Sequence, residues 1–199
     1  RFLSKYTLTR KPGTQYEYSN LGYAFLSNLL SRLLKQSYSD LALHNVMDPL
    51  SLKDTSFLLS PEQKRRVSTG YDGGKGVSPY LSEKIYSVFI GSSGVYSTPS
   101  DMLNFLSFNL GKEKTSLNSV LPIMQKAYHL YNSFDVGLGW KIIPYEDSKL
   151  FFAEGSLFGF TSFMGIIPEK DIGIVILSNH VDKSIEFLAH QLLDIMSSF

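Results

Sequence analysis

Cysteine is absent from the 199 residues, which excludes disulfide staples and thiolate metal sites but leaves the redox compartment open. An excess of one charge is also missing. The 19 basic and 18 acidic residues are scattered and leave a net charge of +1, so the sequence offers no electrostatic stripe for nucleic acid or a membrane surface. Apolar runs such as Ile172 to Leu177 are far short of the roughly 20 residues that span a bilayer, so no transmembrane segment is expected. No signal peptide opens the sequence, and Arg1 is not a natural start, so any targeting segment is expected to have been lost. What remains is 43% hydrophobic and 14% aromatic, enough for a buried core and one domain over residues 1–199.

Periodicity divides that domain into a mainly helical and loop region, 1–130, and a region of strands with a terminal helix, 131–199. Lys11-Pro12-Gly13-Thr14 is a turn. From Asn20 to about Gln36, Leu21, Phe25, Leu26, Leu29, Leu30, Leu33 and Leu34 recur at spacings of three and four, which predicts a helix with one buried stripe. A second helix is expected near Tyr38 to Met47, ended by Pro49. Residues 51 to 96, rich in Gly, Ser, Pro and Tyr, read as a long irregular excursion with short helical or strand pieces, of the kind that carries function. Thr98-Pro99-Ser100-Asp101 is a helix start, with Thr98 as N-cap and proline at the first helical position. A further helix is expected over Leu117 to Ala127. Strands follow at Val136 to Ile143, Leu150 to Glu154, Phe160 to Ile167 and Ile172 to Ser178, the last two joined as an antiparallel hairpin by Pro168-Glu169-Lys170-Asp171. Ile185, Leu188, Ala189, Leu192, Leu193 and Met196 form the apolar face of a C-terminal helix that should pack on the sheet. Helices first, then consecutive strands and one helix, indicate an α+β fold.

Pro12-Gly13-Thr14-Gln15-Tyr16-Glu17-Tyr18-Ser19-Asn20-Leu21-Gly22-Tyr23 resembles the tyrosine-x-asparagine motif of class C β-lactamases, their D-alanyl-D-alanine carboxypeptidase relatives and related esterases, a serine β-lactamase and penicillin-binding-protein-like family. Four more stretches agree in order and rough spacing: the runs 48–55 and 91–98, Gly137-Leu138-Gly139-Trp140, and Gly155-Ser156-Leu157-Phe158-Gly159-Phe160. The resemblance implies a β-lactamase/transpeptidase-like fold, incomplete relative to the family, with a helical cluster and an antiparallel sheet carrying a packed C-terminal helix. It also implies a periplasmic or secreted serine hydrolase acting through an acyl-enzyme on a D-amino-acid peptide, a β-lactam or a small ester. In that family the nucleophile belongs to a Ser-x-x-Lys motif many tens of residues before the tyrosine. Here only 17 residues precede Tyr18 and no lysine has a serine three positions earlier. The segment with the nucleophile is therefore expected to be missing or deleted, and this chain alone to be inactive.

By the same resemblance, Tyr18 is the general base or proton shuttle, and Asn20 binds the substrate amide and orients the catalytic lysine. A free phenol has a pKa of about 10, so useful basicity at neutral pH needs about 4 kcal/mol of help, which a lysine about 4 Å away supplies. Without such a lysine Tyr18 is expected to be idle. The plain structural alternative is that Tyr18 packs at a helix start and Asn20 caps it. The family's third motif, Lys-Thr-Gly or His-x-Gly, aligns with Ala153-Glu154-Gly155. Gly155 keeps room for a substrate backbone, and the N–H of Ser156 would be one oxyanion-hole donor. Ala153 removes the cation that attracts a substrate carboxylate and Glu154 adds a negative charge, so neutral or amine-bearing substrates should be preferred, or turnover abandoned. Alternatively Glu154 simply points to solvent on an edge strand.

No cofactor or metal is expected. His44, His129 and His190 lack a second ligand at metal-like spacing, and His180, near a strand end, has no assigned role. Trp140 reads as core. Ser92, Ser93, Ser97 and Ser156 lie in glycine contexts with no base identified beside them. Three functions compete: an acyl-transferring hydrolase, an inactive binding or regulatory module with the same fold, and half of a two-chain enzyme. A chain starting at Arg1 should expose an open sheet edge and an apolar helix-binding face, and should associate with its missing N-terminal segment or with another copy.

Overall fold

The computed structural model describes residues 3–78, 88–130 and 133–198; part of the 51–96 excursion, at 79–87, and residues 131–132 lie outside the described residues. The expected α+β order holds. Six antiparallel strands form one meander in sequence order: β3 (His129–Leu130), β4 (Asp135–Val136), β5 (Lys141–Tyr145), β6 (Ser148–Leu157), β7 (Phe160–Ile167) and β8 (Ile172–Ser178). Pro168 to Lys170 form one 3-10 turn with Asp171 left-handed, and this connection makes β7 and β8 the expected hairpin.

Neighbouring residues of β6 face opposite sides, so the sheet buries both faces. Phe152 joins Leu150, Phe163 and Ile174 beneath the C-terminal helix α6 (Ser184–Ser197), which contributes Ile185, Ala189 and Leu193. Leu188 and Met196, expected in that interface, are instead 44% and 40% exposed, because the buried seam runs through 185, 189 and 193 and leaves them at its margin. On the other face Phe151, Ile142, Ile166 and Trp140 pack on Leu106 of helix α4 (Pro99–Asn109), and Trp140 stacks on Phe105 at 6.4 Å. Trp140 is core, as expected.

Helix α1 (Asn20–Leu34) stops at Lys35, which turns left-handed at φ 53°. Its apolar stripe is the largest departure from expectation. Only Ala24 and Ser27 are buried, whereas Phe25, Leu26 and Leu33 are 52%, 47% and 68% exposed. The stripe is real, but among the described residues only its Leu30 is partly covered. The second helix begins at Tyr38 as α2 (Tyr38–Ala42) and widens into a π turn over Leu43–Met47 before Pro49. Around it Met47, Leu50, Leu52 and Phe57 gather on Phe108 of α4.

The excursion contains short pieces of both kinds: helix α3 (Pro61–Arg66), with a Ser60/Gln63 capping box, and a hairpin of β1 (Gly70–Asp72) and β2 (Lys75–Val77). The helix expected over Leu117 to Ala127 is only a 3-10 turn at Asn118–Val120 and the short α5 (Leu121–Met124). Pro122 has no N–H to donate to the residue 118 carbonyl, so the α-helical ladder does not run through from the 3-10 turn and starts at Leu121, with the proline in its first turn. The strand expected over Val136 to Ile143 is divided by Gly137-Leu138-Gly139-Trp140. Gly139 has φ +85°, and a side chain on Gly137 would come within 2.6 Å of the Met124 carbonyl.

A buried carboxylate joins the helical pieces. Asp101, 6% exposed, accepts from the Asp54 N–H at 2.8 Å and from the Thr55 hydroxyl at 2.7 Å, while Thr98 caps α4 by accepting from the Asp101 N–H at 3.2 Å. Thr55 and Ser97 share a further hydrogen bond of 2.8 Å. The 48–55 and 91–98 runs are thus two sides of one polar joint.

Candidate active site

The tyrosine-x-asparagine segment is held at the start of α1. Ser19, not Asn20, is the N-cap: its extended backbone (φ −149°) lets its Oγ accept from the Gly22 N–H at 3.0 Å. The simple capping role considered for Asn20 is therefore already filled. Asn20 is free to turn its amide outward, where its Oδ1 accepts from the Tyr18 hydroxyl at 3.0 Å. Tyr18 is 67% exposed, so it does not pack at the helix start either. Tyr16, Tyr18, Ser19, Gly22, Tyr23 and Leu26 line a shallow depression there.

The second group of expected residues lies along β6. Strand β5 pairs with β6 only as far as Lys141 opposite Phe152, whereas β7 pairs with it from Phe151 to Leu157. Among the described residues, Ala153 to Leu157 are thus paired on one side and open on the other. Gly155 stands in the middle of this open edge. It does not need a positive φ, and a side chain added to it would meet only the Ser162 hydroxyl, at 3.4 Å. Neither backbone strain nor internal packing demands glycine there. Gly91 and Gly159 differ: a side chain on Gly91 would fall 2.4 Å from the Ser27 side chain of α1, and one on Gly159 (φ +79°) would fall 2.5 Å from the Tyr71 N–H.

The docking at Gly159 closes the far end of the edge. The Tyr71 N–H donates to Gly159 O at 3.1 Å and Asn179 O at 2.9 Å, which seats the β1–β2 hairpin against the β6–β7 turn. His180, the histidine without an assigned role, pairs there with Tyr71 as an isolated parallel bridge and accepts the Thr161 hydroxyl at 3.0 Å through its carbonyl.

The two groups are linked by a contact that sequence reasoning missed. Tyr16, two residues before Tyr18, packs edge-on against Phe134, with centroids 5.6 Å apart. Lys141 lies 5.7 Å from the Phe134 ring and 5.4 Å from Phe152, and its ammonium pairs with Glu154. Burial pushes the Tyr16 phenol above its ordinary value, and the Lys141 charge partly offsets that shift. Glu154 is exposed on the strand edge, and its negative charge is balanced by Lys141. A register argument could have found Lys141 only with the strand pairing known, since it is 13 residues from Glu154 in sequence.

The other candidate residues have local roles. Ser92 and Ser93 donate to the Phe89 carbonyl at 3.0 and 3.3 Å. His44 contacts Asp48 at 3.1 Å, and His190 meets the edges of Phe152 and Phe163. The side chain of His129 lies outside the described set.

The Beta-lactamase family model matches residues 1–195. This chain belongs to the Beta-lactamase family. It is 28% identical over 192 residues to the D-alanyl-D-alanine-carboxypeptidase/endopeptidase AmpH of Escherichia coli (strain K12), covering 89% of this chain and 48% of AmpH. It is 27% identical over 195 residues to Protein flp of Staphylococcus aureus (strain MW2), covering 94% of this chain and 39% of flp. It thus spans less than half the length of these two relatives. A solved class C beta-lactamase superposes with a TM-score of 0.85 at 20% identity, covering 94% of this chain and 59% of that one. The fold is accordingly that of the Beta-lactamase family, a family of serine hydrolases, and the strand meander with α6 on one face is its sheet. No helix among the described residues is long and apolar enough to cross a membrane.

Proposed function

We propose that this Beta-lactamase-family chain forms the tyrosine and strand-edge walls of an acyl-transferring serine hydrolase site, with the nucleophile supplied from outside these 199 residues. The observation that supports it most is the hydrogen bond from Tyr18 to Asn20, presented to solvent at the start of α1 while Ser19 does the capping. Tyr18 serves as the proton shuttle and Asn20 as the substrate-amide ligand. Gly155 admits a substrate beside β6, and the Ser156 N–H is an oxyanion donor. The reaction is attack on a carbonyl, acyl-enzyme formation and hydrolysis. A D-amino-acid peptide, a β-lactam or a small ester is the substrate class, with neutral or amine-bearing members preferred because Ala153 supplies no cation. A periplasmic or secreted location goes with this reading.

The exposed stripe of α1 belongs to the same proposal. Phe25, Leu26, Leu29 and Leu33 present an apolar face on a chain that spans 48% of AmpH, so a segment like those relatives carry outside the matched region is the fitting cover. Association with another copy is the competing outcome.

A second reading, a binding or regulatory module without turnover, is favoured by Ala153 and by the lack of any Ser-x-x-Lys in the 199 residues. Incubating the complete gene product with a fluorescent penicillin and with an activated ester, then measuring intact mass, separates the two. A covalent adduct whose formation slows at least tenfold in Tyr18→Phe supports the hydrolase. Absence of any adduct with either reagent supports the module.

A further inference from the structure

Ala153 leaves the site without the cation of the family's third motif, yet a positive charge still reaches this part of β6 from the adjacent strand. Lys141 stands opposite Phe152 at the last paired position of β5, where β6 loses its neighbour. Its ammonium pairs with Glu154 and sits 5.4 and 5.7 Å from the rings of Phe152 and Phe134. The lysine and glutamate side chains are 31% and 34% exposed, so the pair is half withdrawn from solvent but open to a ligand. Lys141 is not a positional replacement for a residue at 153. Ala153 packs toward Trp140, while Glu154 shares the opposite face with Phe152, so the cation flanks the strand edge from the other side.

We infer that Lys141 is the specificity-determining cation of this site and that Glu154 is its built-in counter-ion, which masks it against carboxylate-bearing ligands. This rests on the reading of the Ala153–Leu157 edge as the substrate wall. The physical basis is competition. The three ammonium donors of Lys141 face one carboxylate and two aromatic rings, which together hold the charge in place. Glu154 is tethered to the same sheet and loses no translational freedom in binding Lys141, whereas a free carboxylate ligand does. A ligand carboxylate must therefore displace Glu154, and a neutral ligand need not. Paired, the two side chains present no net charge, which explains how the edge tolerates an acidic residue beside Gly155.

A simple cross-strand tie between β5 and β6 would be the alternative meaning of the pair. The two meanings separate in ligand selectivity. The probes are N-acetyl-D-alanyl-D-alanine and its C-terminal amide, titrated into the wild-type chain, Glu154→Gln and Glu154→Gln/Lys141→Met. Binding is read from the Gly155 and Ser156 amide resonances, and each variant's thermal transition confirms folding. Unmasking Lys141 should raise the acid-to-amide affinity ratio about threefold to fivefold in Glu154→Gln, the size of a partly exposed charge contact, and the double variant should lose that gain. A ratio that stays the same in Glu154→Gln, or a gain that persists without Lys141, overturns the inference while leaving the substrate wall standing. If neither peptide moves the Gly155 and Ser156 resonances in any of the three proteins, the substrate wall itself fails and the inference with it.

Discussion

Asp101 offers the sharpest test of how the helical part is assembled. Its carboxylate is 6% exposed and receives the Asp54 N–H at 2.8 Å and the Thr55 hydroxyl at 2.7 Å. In Asp101→Ala both donors lose their acceptor, although Thr55 keeps Ser97 at 2.8 Å. Leaving the part-buried Asp54 N–H unpaired costs about 1 kcal/mol, and losing the charge-assisted bond to Thr55 adds about 1–2 kcal/mol, so a total of about 2–3 kcal/mol is expected. Asp101→Asn keeps one acceptor oxygen and should lose about half of that. The assay is urea unfolding followed by the fluorescence of Trp140, the sole tryptophan, which stacks on Phe105 of the same helix and so reports whether α4 is docked. A Thr98→Ala control removes only the cap, at about 1 kcal/mol. A loss below 1 kcal/mol in Asp101→Ala, or equal losses for the alanine and asparagine variants, would refute the joint as described.

Other consequences are open to direct measurement. Gly91→Ala would force a methyl to within 2.7 Å of the Tyr23 carbonyl and 2.4 Å of the Ser27 side chain, so α1 must shift; a loss of about 2–3 kcal/mol in the same unfolding assay is expected. The hydrogen bond from Arg66 holds the Asp54 carboxyl below its ordinary value. A depressed folded-state pKa means that the associated stability is present above pH 3.8 and is lost as pH falls through the folded value. Arg66→Ala should return the Asp54 titration, followed by carbonyl NMR, toward 3.8 and weaken that acid dependence. The open stripe of α1 should bind a hydrophobic dye and broaden the chain's size-exclusion peak, and Phe25→Lys with Leu29→Lys should reduce both signals at least severalfold.

Local chemistry written in consecutive residues was legible without a structure. The Thr98-Pro99-Ser100-Asp101 start, the α1 periodicity and the β7–β8 hairpin each depend on neighbours within a few positions, where capping, helical spacing and alternation operate. The tyrosine-x-asparagine segment stood out by its resemblance to a known motif, whereas the hydrogen bond from Tyr18 to Asn20 and the assignment of the cap to Ser19 needed the structure.

Tertiary structure decided what depends on partners distant in sequence. Periodicity shows that α1 has an apolar stripe; whether anything covers it is a property of the packed molecule, and here Ala24 and Ser27 alone are buried. The sheet register brought Lys141 to Glu154, and so turned an apparently unbalanced acid into half of an ion pair. It also ended the β5–β6 pairing at Lys141 opposite Phe152, leaving Gly155 on an open edge. Side-chain identity limits which interactions are possible, but hydrogen-bond register and burial choose among them, because both are set by the whole chain at once.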